Sequence, residues 1–324
     1  MKRVLVTGGA GFIGSHLCDR LLREGFWVIN LDSFNPFYDP KRKWKNIQTA
    51  LDHPRYRLYV GDIRDDRVLD QIGREQGRID IICHLAAMAG VRQSLKDPME
   101  YVSVDIGGTV SMLEYARTLE VERFVFASSS SVYGKNIKIP FCEDDPLEGQ
   151  VSPYATAKRA GELYCQTYSE IYGIPIVGLR FFTVYGPRQR PEMAIHFFTN
   201  QIWEGKPIPV FGDGTTARDY TYIDDVVDGI GKAMAYDHPG YAVFNLGNNH
   251  TIQLHALISL LEKSTGKKAI VDRKPMQLGD VEMTCADIQK SARLLGYRPS
   301  VDIETGIERF VEWFREGPGA SQRG

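Results

Sequence analysis

Tyr154 and Lys158 stand four residues apart in the run Tyr154-Ala-Thr-Ala-Lys158, a spacing that places a phenol and an ammonium on one face of a helix. A phenol with a pKa of about 10 is a poor base at neutral pH. A neighbouring Lys⁺ favours the phenolate and makes proton abstraction from an alcohol feasible. Four serines, 128–131, follow the strand expected over 123–127, so a hydroxyl at a strand end can hold the oxygen of that alcohol. Ser129 is the first choice for this and Ser131 the second. A structural helix behind a serine loop would look the same locally, so the pair gains meaning only from the elements that position it.

The first of these elements is the N-terminal stretch. Val4, Leu5 and Val6 read as a buried strand, followed by Gly8, Gly11 and Gly14 and an amphipathic helix from about Phe12 to Glu24. Gly8 allows a tight turn, Gly11 a close approach of backbone to a ligand, and Gly14 close packing of the helix. The unpaired N–H groups at the helix start, around Phe12 and Ile13, then face a pyrophosphate. A second apolar run, 27–31, ends in Asp32, close to the distance expected for a carboxylate on an adenosine ribose. No Arg stands at 33 or 34 to receive a 2′-phosphate, so NAD is favoured over NADP. Asp62, with Ile63 after it, ends the next strand and suits a place facing adenine, with capping of a helix near Asp65 as a compatible role. The small-residue loop Leu85-Ala86-Ala87 after the strand 79–84 can pass close to the same dinucleotide.

With 324 residues, 43% of them hydrophobic, the chain can bury one large core and a smaller lobe. Thirty-nine basic against 41 acidic residues leave a net charge of -2, which gives neither a footprint for nucleic acid nor a polybasic membrane patch. Anionic ligands must therefore be held by local arginines and helix ends. Five scattered cysteines without a CxxC pair suit reduced thiols in the cytoplasm better than disulfides or a metal site. The chain enters its first strand at once and holds no run of membrane-spanning length, so neither a signal peptide nor a membrane span is expected.

Strand and helix signals alternate through residue 180, with helices at 66–76, 98–119 and 153–172. This pattern predicts an α/β fold: a Rossmann-type doubly wound parallel sheet with a smaller C-terminal substrate-binding domain. The expected division is a dinucleotide domain over 1–180, with a return of 223–248, and a substrate domain over 181–316. Within the latter, helices are expected at 194–205, from about 223, within 250–265, at 281–296 and at 301–315. Residues 317–324 are expected to form a flexible tail.

Taken in order, TGGAGFIG (7–14), HLAA (84–87), SSSSVYG (128–134), YATAK (154–158), RFFTVYGPRQRP (180–191) and GDG…RDYTYIDD (212–225) resemble the extended short-chain dehydrogenase/reductases. The resemblance covers roughly residues 1–315 and lies in their sugar-nucleotide epimerase/dehydratase branch, nearest to bacterial UDP-glucuronate 4-epimerases and next to UDP-glucose 4-epimerases. It implies a tightly bound NAD⁺ and a UDP-sugar substrate. In that scheme Tyr154 takes the 4-OH proton as C4 gives hydride to NAD⁺, and Lys158 assists and binds the nicotinamide ribose. Ser129 orients the 4-oxygen, while Ser130 and Ser131 lie against substrate. The 4-keto sugar turns over and is reduced on its other face. Dehydratase relatives carry an Asp-Glu pair where this chain has Ser130 and Ser131, which argues against dehydration. The branch commonly has Asn where this chain has Asp105.

The same resemblance puts Arg218 on the diphosphate, Asp280 on the nucleotide ribose, and Thr183 and Val210 along the nucleotide. Arg190 is the favoured partner of a sugar carboxylate, because guanidinium matches carboxylate bidentately, and Arg92 is a second candidate. UDP-glucuronate is the expected substrate. UDP-glucose or UDP-N-acetylglucosamine epimerisation and UDP-glucuronate decarboxylation are the alternatives. The resemblance further implies a homodimer through the helices at 98–119 and 153–173.

Overall fold

A computed structural model describes residues 1–275 and 281–317 of the chain. The strands are β1 (Arg3–Thr7), β2 (Trp27–Asp32), β3 (Tyr56–Val60), β4 (Ile81–His84), β5 (Arg123–Ser129), β6 (Ile176–Phe181), β7 (Thr183–Tyr185), β8 (Pro207–Phe211), β9 (Ala217–Tyr222), β10 (Tyr241–Leu246), β11 (Thr251–Gln253) and β12 (Ile270–Lys274). Seven of them form one sheet in the order β10-β6-β5-β4-β1-β2-β3, with every neighbouring pair parallel. The order reverses between β1 and β4, and ligands of such sheets bind in the crevice beyond the strand ends at that reversal. The loops that follow β1 and β4 are the glycine turn and Leu85–Ala87.

Alternation along the strands sends side chains to two cores. Val4 and Val6 of β1, and Val125 and Ala127 of β5, join one apolar cluster, while Leu5, Phe124 and Phe126 join the other. The first cluster continues without a break into the later segments, through Ile195, Phe198, Phe310 and Phe314. The C-terminal lobe is therefore seated on one face of the large sheet. It carries a small sheet in the order β11-β9-β7 and the parallel pair β12-β8.

The helix Pro153–Tyr172 shows why its sequence folds as read. The Ser152 hydroxyl accepts from Ala155 N at 3.1 Å, Pro153 sits in the first turn, and Gly173 closes the helix at φ 67°. Gly161 lets this helix lie close to β5, since a Cβ there would stand 2.4 Å from Cζ of Phe126.

Some segments differ from the sequence reading. The helix expected over 98–119 is Pro98–Tyr101, a π-helical turn Val102–Gly107, and Gly108–Thr118 in succession. The helix expected over 281–296 is confined to Gln289–Leu294. Ahead of it the backbone is extended, because its polar groups pair with Phe141 and Ala217: Phe141 N donates to Cys285 O at 2.8 Å and Thr284 N to Ala217 O at 3.1 Å. Tertiary pairing overrides the local helical signal there. The helix Pro40–Leu51, capped by Asp39 with Pro40 at its first position, was not anticipated. Residues 318–324 of the expected tail, and Asp280, lie outside the described residues.

Candidate active site

A cleft opens over the strand ends of the large sheet. It is lined by Gly8, Gly11, Phe12, Ile13, Gly14, Asp32, Asp62, Ile63, Leu85, Ala86, Ala87, Ser129, Ser130, Ser131, Tyr154, Lys158, Thr183 and Arg190. The two ends of the chain segment 8–190 thus meet in one place.

At the glycine turn, Gly8 adopts φ 72°, and a Cβ on it would stand 2.9 Å from the backbone of Ala86. Gly14 is tighter still, because a Cβ would lie 2.2 Å from Gly8 O. Gly11 begins the helix Phe12–Arg23 with no side-chain cap, so the first-turn N–H groups remain directed at the cleft. Asp32 is buried and held on both oxygens: Ala10 N donates to Oδ2 at 3.0 Å and Phe34 N to Oδ1 at 2.8 Å. Lys43 Nζ lies 3.5 Å from Oδ1. Asp62 accepts from Arg64 N at 2.9 Å and pairs with the Arg64 guanidinium at 2.7 Å. The cap of the next helix is Asp65 instead, whose carboxylate accepts from Arg67 N.

Lys158 is buried, and its Nζ donates to Ala127 O at 2.8 Å, which ties the helix to the end of β5. The Ser129 hydroxyl donates to Ser131 Oγ at 3.1 Å, and Ser131 N donates to Ser129 Oγ at 3.2 Å. Ser128 turns the other way and donates to Glu162 Oε1 at 2.6 Å. Behind the site, Arg180 and Glu162 form a bidentate pair at 2.8 and 3.0 Å, both buried. Tyr133 accepts from Arg180 Nη1 at 3.0 Å.

His84 fixes the loop after β4. The single hydroxyl proton of Thr109 goes to Asp105 O at 2.5 Å, so Thr109 Oγ1 must accept from His84 Nε2, 3.2 Å away. Nδ1 is then the acceptor for Thr7 Oγ1–H at 2.8 Å, and Thr7 Oγ1 in turn accepts from Ala86 N at 3.1 Å. Burial, aided by the charge of Lys158, lowers the imidazole pKa to about 3, so this chain of bonds is made by neutral histidine.

The two arginines of the loop after β7 diverge. Arg188 pairs with Asp19 at 2.7 Å, away from the cleft. Arg190 reaches into it, 3.1 Å from Glu192 Oε1, 3.5 Å from Ala89 O and 5.8 Å from the Phe37 ring centre.

Several expected residues lie elsewhere. Arg92 is exposed with its guanidinium 5.0 Å from the Phe211 ring centre, and Arg218 donates to Ala217 O at 2.9 Å on β9. Neither is part of the cleft wall around Tyr154. The Val210 side chain does not line it either: alternation along β8 turns Ile208 and Val210 into the core. Conversely, Lys43, Phe37, Tyr38 and Met193 line the cleft without having been anticipated. Asp39-Pro40, a capping residue followed by a first-turn proline, was the signal that could have exposed the helix carrying Lys43.

Residues 5–310 match the family described as GDP-mannose 4,6-dehydratase. A UDP-glucuronate 4-epimerase of Thermodesulfobacterium geofontis is 41% identical over 318 residues, covering 98% of this chain and 97% of that one. The crystal structure of a UDP-glucuronic acid 4-epimerase from Bacillus cereus, in complex with UDP-glucuronic acid and NAD, is 38% identical with a TM-score of 0.91, covering 97% and 99% of the two chains. A UDP-glucose 4-epimerase from Thermotoga maritima, solved with UDP-glucose, is 33% identical with a TM-score of 0.88, again over 97% and 99%.

Proposed function

This chain belongs to the GDP-mannose 4,6-dehydratase family, and we propose that within it the protein interconverts UDP-glucuronate and UDP-galacturonate by oxidising and re-reducing C4 with bound NAD. The observation that carries this reading is the meeting of Tyr154, Lys158, Ser129, Ser131 and Arg190 with the glycine turn in one cleft.

The residues at the turn fit a dinucleotide. Side chains are absent where a Cβ would collide, the helix start offers uncapped N–H groups, and a carboxylate stands at the end of β2. NAD⁺ held there supplies the acceptor, and then the donor, of the C4 hydrogen, and it stays bound between turnovers. Tyr154 takes the 4-OH proton and later returns it. Lys158, fixed by Ala127 O, favours the phenolate and reaches the nicotinamide ribose. Ser129 and Ser131, already bonded to each other, hold the 4-oxygen.

Ser130 and Ser131 carry no carboxyl group for acid–base loss of a C6 substituent, so the chain departs from the dehydration that its family's name describes. Arg190 binds the C6 carboxylate. Its contacts with Glu192 and Ala89 fix the guanidinium before substrate arrives. The 4-keto intermediate is a β-keto acid, and a carboxylate held out of line with the carbonyl π system keeps its CO₂. Arg218 serves the diphosphate, with Thr183 on the nucleotide side.

The protein acts as a homodimer in the cytoplasm. Exposed Leu163, Tyr164 and Ile171 on the tyrosine helix, with Met99 and Val102 on the helical stretch beside it, support that pairing. Among the described residues no helix is long and apolar enough to cross a membrane.

Product NMR tests the reading. The purified protein, without added NAD, is expected to convert UDP-glucuronate to UDP-galacturonate, and release of a UDP-pentose would identify a decarboxylase instead. Arg190→Ala is expected to lower kcat/KM for the uronate about 10- to 100-fold, the worth of a charge-assisted hydrogen bond, with far less effect on any neutral UDP-hexose turnover. Equal loss on both substrates would remove the carboxylate role.

A further inference from the structure

We propose that the stretch leaving β2, from Phe37 to Arg42, sets the grip on the sugar carboxylate by fixing Arg190 at two points, with Phe37 and His196 as the positioning residues. The inference deepens the uronate reading of this site and rests on it. The stretch starts at the cofactor carboxylate, where Phe34 N donates to Asp32 Oδ1, and Phe37 and Tyr38 then line the cleft. Phe37 N donates to Asn35 Oδ1 at 2.9 Å, a side-chain turn that brings the Phe37 ring round to the sugar side.

The first point is the guanidinium itself. Its carbon lies 5.8 Å from the Phe37 ring centre, within cation–π reach. Both of its polar contacts, with Glu192 Oε1 at 3.1 Å and Ala89 O at 3.5 Å, engage Nη1. A group held at one nitrogen can still swing about it, and the ring restricts the plane in which the fork meets a carboxylate.

The second point is the peptide group that carries Arg190. His196, in the first turn of the helix Ala194–Glu204, is 1% exposed. Its Nδ1 lies 2.6 Å from Gln189 O and its Nε2 3.4 Å from Arg42 Nη1. A carbonyl only accepts and a guanidinium only donates, so Nδ1 carries the proton and Nε2 receives one. Gln189 O belongs to the peptide that ends at Arg190 N, so the histidine fixes the plane from which the arginine departs. Burial lowers the imidazole pKa to about 4, with the bond to Gln189 opposing the fall and the Arg42 charge adding to it. The neutral tautomer therefore persists at neutral pH. Phe310, Trp313 and Phe314 meet the imidazole edge-on at 5.7 to 5.8 Å, so a phenyl ring at 196 can keep that packing while donating nothing to Gln189 O.

Isothermal titration in the Tyr154→Phe background, where turnover does not consume the ligand, tests the assignment with UDP, UDP-glucose and UDP-glucuronate. Phe37→Leu is expected to weaken UDP-glucuronate about two- to fivefold and to leave the other two ligands unchanged. Phe37→Tyr, which keeps the ring face, is expected to restore the affinity. His196→Phe is expected to weaken UDP-glucuronate about fivefold, the worth of one hydrogen bond. In an Arg190→Ala protein Phe37→Leu is expected to cost nothing more, because no guanidinium remains to be positioned.

A merely structural role would weaken all three ligands together. That result, an unmoved affinity for UDP-glucuronate, or a Phe37→Leu loss that persists without Arg190 would overturn the proposal. The Phe37 variants decide it if His196→Phe fails to fold. Arg190→Ala that keeps the full preference for UDP-glucuronate over UDP-glucose would defeat the carboxylate reading itself, and this inference with it.

Discussion

Replacing Tyr154 with Phe is expected to reduce epimerisation by about 10²- to 10⁴-fold, the usual contribution of a positioned general base, while UDP-sugar and NAD remain bound. The substitution removes one oxygen from a partly buried ring that sits in the first turn of a well-capped helix. Tyr101 still packs against that ring, Lys158 still donates to Ala127 O, and the Ser129–Ser131 pair is untouched. Binding therefore survives and chemistry does not. Isothermal titration with UDP-glucuronate, beside a steady-state assay, separates the two. Near-normal turnover would show that another group takes the 4-OH proton, and weakened binding in step with activity would show a merely structural tyrosine.

Glu162→Ala is expected to cost about 3–5 kcal/mol of stability, because it strands a buried cation. Arg180 is 2% exposed and gives Nε and Nη2 to Glu162, and Ser128 donates to the same carboxylate. The remaining acceptors of Arg180, Tyr133 Oη and Glu143 O, satisfy only Nη1. Glu162 also lies one helical turn beyond Lys158 and is bonded to the residue before Ser129, so its loss loosens the join between base and strand end. Urea unfolding measures the first effect. The double change Glu162→Leu with Arg180→Met is expected to recover most of the stability, since removing both charges removes the desolvation debt. A loss below about 1 kcal/mol in the single variant would mean that water reaches Arg180 and that the pair is not a buried brace.

Much of this site was legible because its parts depend on local sequence. The turn at Gly8–Gly14 requires residues without a Cβ, the tyrosine helix announces itself by Ser152, Pro153 and Gly173, and parallel strands bury both faces and read as apolar runs. What escaped depends on contacts distant in sequence. The stretch before Gln289 reads as helix but pairs its backbone with Phe141 and Ala217. Lys43 approaches Asp32 from a helix whose cap went unread, and nothing within residues 27–34 reports that cation. The resemblance puts Val210 along the nucleotide, yet the face of β8 that its side chain occupies is decided by the core beneath. The π-helical turn at Val102–Gly107 leaves no mark in hydrophobic spacing, and so the orientation of Asp105 emerges only in three dimensions.

The most direct test of the central claim uses UDP-glucuronate carrying deuterium at C4, turned over in ordinary water with no NAD added. Removal of that hydrogen as hydride, held on the enzyme and returned to the opposite face, requires UDP-galacturonate that keeps its C4 deuterium. Product with the label washed out to solvent would contradict the account, because C4 would then have been inverted through proton loss.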